Sequence, residues 1–142
     1  MTTAFVSRPV PALPPERHWK NLINQSEDEA LATDPNVETF TVLSYNILCE
    51  KYATEQLCEH APASVLSWEY RKELILAEVM NYNADFLCLQ EVSIAKYEDY
   101  FTPCLARKDY EGIHWPTSQG ETMNGADQRQ VDGCATFYKA SK

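Results

Sequence analysis

Asn46 and Glu91 are the residues of this chain whose type and setting point most directly to chemistry. Each stands where an apolar run stops, in Ser44-Tyr45-Asn46 and in Leu89-Gln90-Glu91-Val92. An amide carbonyl and a carboxylate are oxygen donors of the kind that a hard cation such as Mg²⁺ accepts. Open α/β sheets bind their ligands outside the carboxyl ends of the strands, where a sheet places side chains accurately. A carboxylate that follows Phe86-Leu87-Cys88-Leu89-Gln90 lies so close to a core that burial is costly unless a cation or hydrogen bonds compensate it. The pair therefore points to metal-assisted phosphodiester chemistry. Asn46 has a second reading, because an asparagine at a strand end commonly bonds its own backbone.

Other groups carry weaker signals. The stretch Trp68-Glu69-Tyr70-Arg71-Lys72 can contact phosphate, although a solvated helix face with Trp68 in the core is the simpler reading. Asp132-Gly133 can form a turn or supply a site residue, the turn being the simpler reading, and His114 reads as a structural histidine within a strand; Asp127 and Arg129 fall in a polar loop. Cys58 and His60 form a lone C-x-H without the partner spacing of a zinc site.

The elements that must position these residues follow from periodicity. Thr39 to Tyr45 alternates and is rich in β-branched and aromatic residues, as a strand is. Ser67 is a plausible N-cap for a helix that begins at Trp68, whose Trp68, Ile75, Val79 and Tyr82 share one stripe, and Asn81-Tyr82-Asn83 ends it. Asp85 to Leu89 is a nearly continuous apolar run, which predicts a strand covered on both faces. A second helix is expected from Ser93 to Ala106 despite Pro103. Tyr110 to Trp115 and Cys134 to Tyr138 read as strands, with Thr117 to Gln130 a surface loop between them. Strand, helix, strand, helix, strand is an α/β order.

Composition sets the outer bounds. The 142 residues are 44% hydrophobic and suffice for a domain with its own core. A net charge of −9 argues against non-specific adhesion to nucleic acid or an anionic membrane. No stretch approaches the roughly 18–20 apolar residues that span a bilayer, so no membrane partner is expected. Residues 1–38 hold five of the eight prolines and read as a Pro-rich linker or extended arm, in which His18-Trp19 with Leu22 and Ile23 can dock as a short helical turn. Prolines also occupy Met1 to Arg17, where a signal peptide would have its apolar segment. The five cysteines form no CxxC pair; Cys49, Cys88 and Cys134 read as small core residues. An odd number of unpaired thiols suits a reducing compartment, cytoplasm or nucleus.

Taken in order, the motifs resemble those of the endonuclease/exonuclease/phosphatase superfamily. Ser44-Tyr45-Asn46-Ile47-Leu48-Cys49 with Lys51-Tyr52-Ala53-Thr54 is similar to its first motif. Trp68-Glu69-Tyr70-Arg71-Lys72, Asp85, Leu89-Gln90-Glu91-Val92 and Val131-Asp132-Gly133-Cys134-Ala135 continue the likeness, from about Phe40 to Tyr138. These versions resemble the carbon catabolite repressor type of poly(A) deadenylase, the exonuclease subunit of the NOT-scaffolded deadenylase complex. The resemblance implies two β-sheets packed face to face with helices outside, residues 39–142 forming the N-terminal part of the nuclease domain. It implies that Glu91 binds Mg²⁺, that Asn46 lies in the same site orienting phosphate or water, and that 5′-AMP is released from the 3′ end of poly(A) mRNA. It also implies scaffold subunits of the deadenylase complex as partners.

The departures from that pattern bear equally on function. The family's Asp-x-Asn motif and late Asp-His pair lie beyond the equivalent of Lys142, and His18, His60 and His114 stand in other contexts. The 142-residue chain is therefore expected to be inactive by itself. Near Trp115-Pro116 the family tends to carry basic residues, where this chain has Thr117 and Gln119. The alternatives are a truncated, non-catalytic isoform that binds protein partners through an exposed inner sheet face, or another phosphodiesterase of the same superfamily.

Overall fold

The computed structural model describes residues 34–118 and 125–142, together with Lys20 and Leu22. Backbone proximity divides the chain into Met1–Glu38 and Thr39–Lys142. The docking turn expected around His18-Trp19 and Ile23 lies outside the described residues, and the architecture below is that of the second unit.

Four strands form one mixed sheet. β1 (Val42–Asn46) runs parallel to β2 (Phe86–Ser93), which pairs antiparallel with β4 (Asp132–Lys139), itself antiparallel to β3 (Tyr110–Pro116). The order across the sheet is β1-β2-β4-β3. The parallel pair requires a crossover, supplied by α1 (Ala63–Leu66) and α2 (Trp68–Tyr82). Ser67 caps α2 as expected, its hydroxyl accepting from the amide of Tyr70 at 3.3 Å. Asn83 ends the helix in the left-handed conformation at φ 46°, which asparagine tolerates better than most residues.

The connection from β2 to β3 is less regular than its sequence period implies. Ser93 caps a turn of α-helix, α3 (Ile94–Lys96), followed by a π-helical turn (Tyr97–Phe101) and by α4 (Thr102–Ala106). Pro103 explains the break: it lacks an N–H, and its ring would meet the carbonyl one α-turn earlier, so the wider turn gives it room. A short α5 (Ala126–Arg129) lies in the segment expected to be loop, residues 119–124 of which fall outside the described set.

One face of the sheet is covered. Leu87 and Leu89 of β2 with Ala135 and Phe137 of β4 pack against Trp68, Ile75 and Val79 of α2 and against Phe101 and Leu105. Each large side chain buried this way contributes about 1.5–3 kcal/mol. Tyr82, the fourth member of the expected stripe, is only partly buried. Gly112 makes the packing possible, since a Cβ there would lie 2.3 Å from the Phe137 ring.

The other face is open among the described residues. Val42, Phe86, Ile113, Trp115 and Tyr138 point outward, Phe86 being 40% exposed and Trp115 77%. The expectation that β2 is covered on both faces therefore fails for what is described. A continuous apolar run shows that both faces are apolar, which is not the same as both being covered. For the same reason Cys134, expected in the core, is exposed, and Cys88 is half-buried, while Cys49 is buried.

Candidate active site

The carboxyl ends of β1 and β2 lie side by side, with Asn46 opposite Gln90 in the parallel register. Glu91 is the extra residue of a β-bulge: pairing with β4 runs through Gln90, skips Glu91 and resumes at Val92. The consequence is visible in the burial of β2. Leu87 and Leu89 face the core before the bulge, and Val92 faces it afterwards, so the alternation changes parity at Glu91. Glu91 itself takes φ 60°, the left-handed region, at a cost of about 1–2 kcal/mol for a residue with a Cβ. The bend takes its side chain out of the pleat and onto the end of β1.

There the two expected residues meet. The Asn46 Nδ2 donates to Glu91 Oε1 at 2.6 Å, and the backbone N–H of Cys49 donates to Glu91 Oε2 at 3.0 Å. The Asn46 Oδ1 accepts from the backbone N–H of Leu48 at 2.9 Å. The backbone-bonding reading of Asn46 is thus observed, and the same side chain also orients the Glu91 carboxylate. In this arrangement its carbonyl oxygen is engaged by the backbone, and Glu91 is the member of the pair that offers lone pairs.

The loop after β1 is tied down from three sides. From α2, Arg71 donates through Nη1 to the carbonyls of Ile47 and Leu48 at 2.7 and 2.8 Å, and through Nε to Leu66 at 2.9 Å. From β4, the buried Asp132 forms an ion pair with Lys51. From α3, Lys96 lies 3.1 Å from Glu50 and 4.8 Å above the Trp68 ring. Burial pushes the Cys49 thiol above its ordinary pKa and the Arg71 guanidinium below its own, whereas the hydrogen bond to Asp132 holds Lys51 above the usual lysine range. The buried Cys49 side chain packs in the core.

Two sequence readings need correction here. Asp132-Gly133 is not a turn: it opens β4, and a Cβ on Gly133 would lie 2.2 Å from the carbonyl oxygen of Trp115, so only glycine allows β3 to approach. Within the Trp68–Lys72 stretch, Trp68 is buried as expected, but Arg71 is a backbone clamp and not part of a solvated face. What sequence reasoning missed is thus the ion pair of Asp132 and the clamping role of Arg71. The His114 Nε2 lies 2.8 Å from the carbonyl oxygen of Val92, a structural contact as expected. Arg129 is more engaged than its sequence suggests, pairing at 2.8 Å with both Glu98 and Asp99.

Glu91 has only neutral donors: no lysine or arginine among the described residues pairs with it. A carboxylate oriented by two N–H groups and left without a countercharge fits a divalent cation. Among the described residues no three His, Cys, Asp or Glu side chains are grouped to hold a metal, so Glu91 would be a single ligand and not a chelate.

A family model described as endonuclease/exonuclease/phosphatase matches residues 43–142, a span that contains both residues of the pair. The chain belongs to this family. Nucleases of the endonuclease/exonuclease/phosphatase family use divalent metal ions. Among curated relatives, the chain is 50% identical to the CCR4-Not complex 3′-5′-exoribonuclease subunit Ccr4 of Mycosarcoma maydis, across 99% of the chain and 22% of that protein. It is 43% identical to the subunit of the same name from Schizosaccharomyces pombe, across 94% of the chain and 22% of that protein. The chain thus spans about a fifth of the length of these relatives. The crystal structure of ANGEL2, a 2′,3′-cyclic phosphatase, superimposes with a TM-score of 0.59 at 35% identity, covering 72% of the chain and 28% of ANGEL2. The family expected from the motifs is the family found.

Proposed function

We propose that this chain supplies the Asn46–Glu91 part of a Mg²⁺-dependent 3′-5′ exoribonuclease site that shortens mRNA poly(A) tails and releases 5′-AMP. The observation that carries the reading is the 2.6 Å contact between Asn46 and Glu91 across two parallel strand ends, in a chain 50% identical to an exoribonuclease subunit. Glu91 would hold the cation, and Asn46 with the Cys49 amide would fix the angle at which its carboxylate meets it. A bound Mg²⁺ supplies polarisation of the scissile phosphate and stabilisation of the leaving oxygen. Asn46 and Glu91 do not by themselves provide a full ligand set with acid–base groups, so the isolated 142-residue chain is expected to bind a divalent cation weakly and to cleave nothing. The same likeness supports membership of a NOT-scaffolded complex, and the five free thiols support a reducing compartment.

The test uses protein expressed from the complete coding sequence and an RNA with an oligo(A) 3′ end. Stepwise shortening with release of 5′-AMP is expected with Mg²⁺, abolished by chelation and reduced about 100-fold or more in Glu91→Ala. Undiminished trimming by Glu91→Ala would overturn the role of Glu91. An RNA ending in a 2′,3′-cyclic phosphate, processed without shortening, would instead align the protein with the reaction of ANGEL2.

A further inference from the structure

Arg71 does something that neither helix formation nor core packing requires. One nitrogen, Nη1, donates to the carbonyl oxygens of two successive residues, Ile47 at 2.7 Å and Leu48 at 2.8 Å. Successive carbonyls of an extended chain point in opposite directions, so they converge on one donor only where the backbone bends sharply. The bend is there: Leu48 has φ 59°, a left-handed conformation that leucine does not favour. Asn46 Oδ1 holds that bend from one side by accepting from Leu48 N–H, and Arg71 holds it from the other. The next N–H along the chain, that of Cys49, is the one that donates to Glu91 Oε2.

We propose that Arg71 is a positioning residue for the metal site, acting on Glu91 through the backbone of residues 47–49. This deepens the reading of Glu91 as a cation ligand and rests on it. The same side chain, carried on the first turn of α2, also donates through Nε to Leu66 at the end of α1, so the loop carrying the Cys49 amide is tied to the α1–α2 junction rather than to solvent. The other terminal nitrogen, Nη2, is buried without an acceptor among the described residues, a cost that a merely convenient surface arginine would not carry. Lysine cannot replace the fork, because a single ammonium on a flexible stem does not reach Leu66, Ile47 and Leu48 in fixed directions.

The test is NMR of the full chain with Mn²⁺ as the probe, comparing Arg71→Lys and Glu91→Ala with the parent. The Cys49 amide proton, bonded to a carboxylate, resonates downfield in the parent and moves upfield in Glu91→Ala. In Arg71→Lys it is expected to move in the same direction while the core resonances stay in place. Paramagnetic broadening around Glu91 should then need about 10–100-fold more Mn²⁺. A lysine variant that keeps both the Cys49 shift and the Mn²⁺ response overturns the proposal. If Glu91→Ala leaves Mn²⁺ binding intact, the cation reading of Glu91 fails, and with it the metal role given to Arg71. The Cys49 shift then reports separately on whether Arg71 orients the carboxylate. Should Arg71→Lys fail to fold, Arg71→Gln, which retains one planar donor, is read by the same two signals.

Discussion

The two ends of β2 each carry a carboxylate near the core, and they are treated in opposite ways. Asp85, just before the strand, accepts from the backbone N–H of Thr41 at 2.8 Å and from its hydroxyl at 3.0 Å. It also pairs with Lys142 at 2.9 Å and, more loosely, with Lys139 at 3.7 Å. Glu91, near the other end, accepts from an asparagine amide and a backbone N–H and meets no cation among the described residues. Asp85 thus has its countercharge built in and ties β1, β2 and the end of β4 together. Glu91 is oriented but not neutralised. A fixed countercharge suits a structural carboxylate, whereas neutral orienting donors leave one free to accept an external cation.

The largest expected effect follows from that contrast. Glu91→Gln should remove divalent cation binding from the chain, read as loss of Mn²⁺ broadening, whereas Asp85→Asn should leave it unchanged. Equal losses in the two variants would erase the distinction. The second effect concerns stability against pH. Lys142, and after it the Thr41 amide, holds the Asp85 carboxyl well below its ordinary value of 3.8. A group with a depressed folded pKa adds stability above its unfolded pKa and loses it as pH falls towards the folded one. The gap in urea midpoint between the parent and Asp85→Asn should therefore be constant from pH ~5 to ~8 and close below pH ~4. Because Lys142 is more than half exposed, the gap should also narrow in high salt.

How far this contrast can be read from sequence depends on what each residue's neighbours reveal. Glu91 is legible because an ionisable group ends an apolar run, and Asn46 because it ends another. The start of α2 is legible in Ser67. The bulge at Glu91 is not, since nothing in Gln90-Glu91-Val92 marks a change of parity until the burial of Val92 is known. Arg71 leaves a signal in its position: it stands three residues after Trp68 and four before Ile75, at the edge of the buried stripe. A cation on such a stripe must find carbonyls or carboxylates. Asp132 stands directly before an apolar run, as Glu91 stands directly after one, and the same cost argument applies to both. The π-helical turn leaves only Pro103 as a trace, which says that the α-ladder breaks without saying how. The open sheet face is legible as apolar, but its cover depends on residues distant in sequence or on a partner, which local pattern does not encode.

The smallest effect separates the backbone of Glu91 from its carboxylate. At φ 60° a Cβ is strained and glycine is not. Glu91→Ala and Glu91→Gly both remove the acceptor of the Asn46 amide and of the Cys49 N–H, so both should lose the cation equally. They differ in conformation alone: alanine keeps the left-handed strain, and glycine relieves it at some cost in unfolded-state entropy. Glu91→Gly should therefore be the more stable of the two by about 1 kcal/mol in urea unfolding. Asp85, which is not among the left-handed residues, makes the control: Asp85→Gly should gain nothing over Asp85→Ala. If alanine and glycine prove equally stable at position 91, the bulge is not strained, and the left-handed bend at Glu91 is no burden that the site carries for the sake of its carboxylate. If glycine is favoured there and not at position 85, then β2 gives up stability at one end to aim a carboxylate that it leaves without a countercharge.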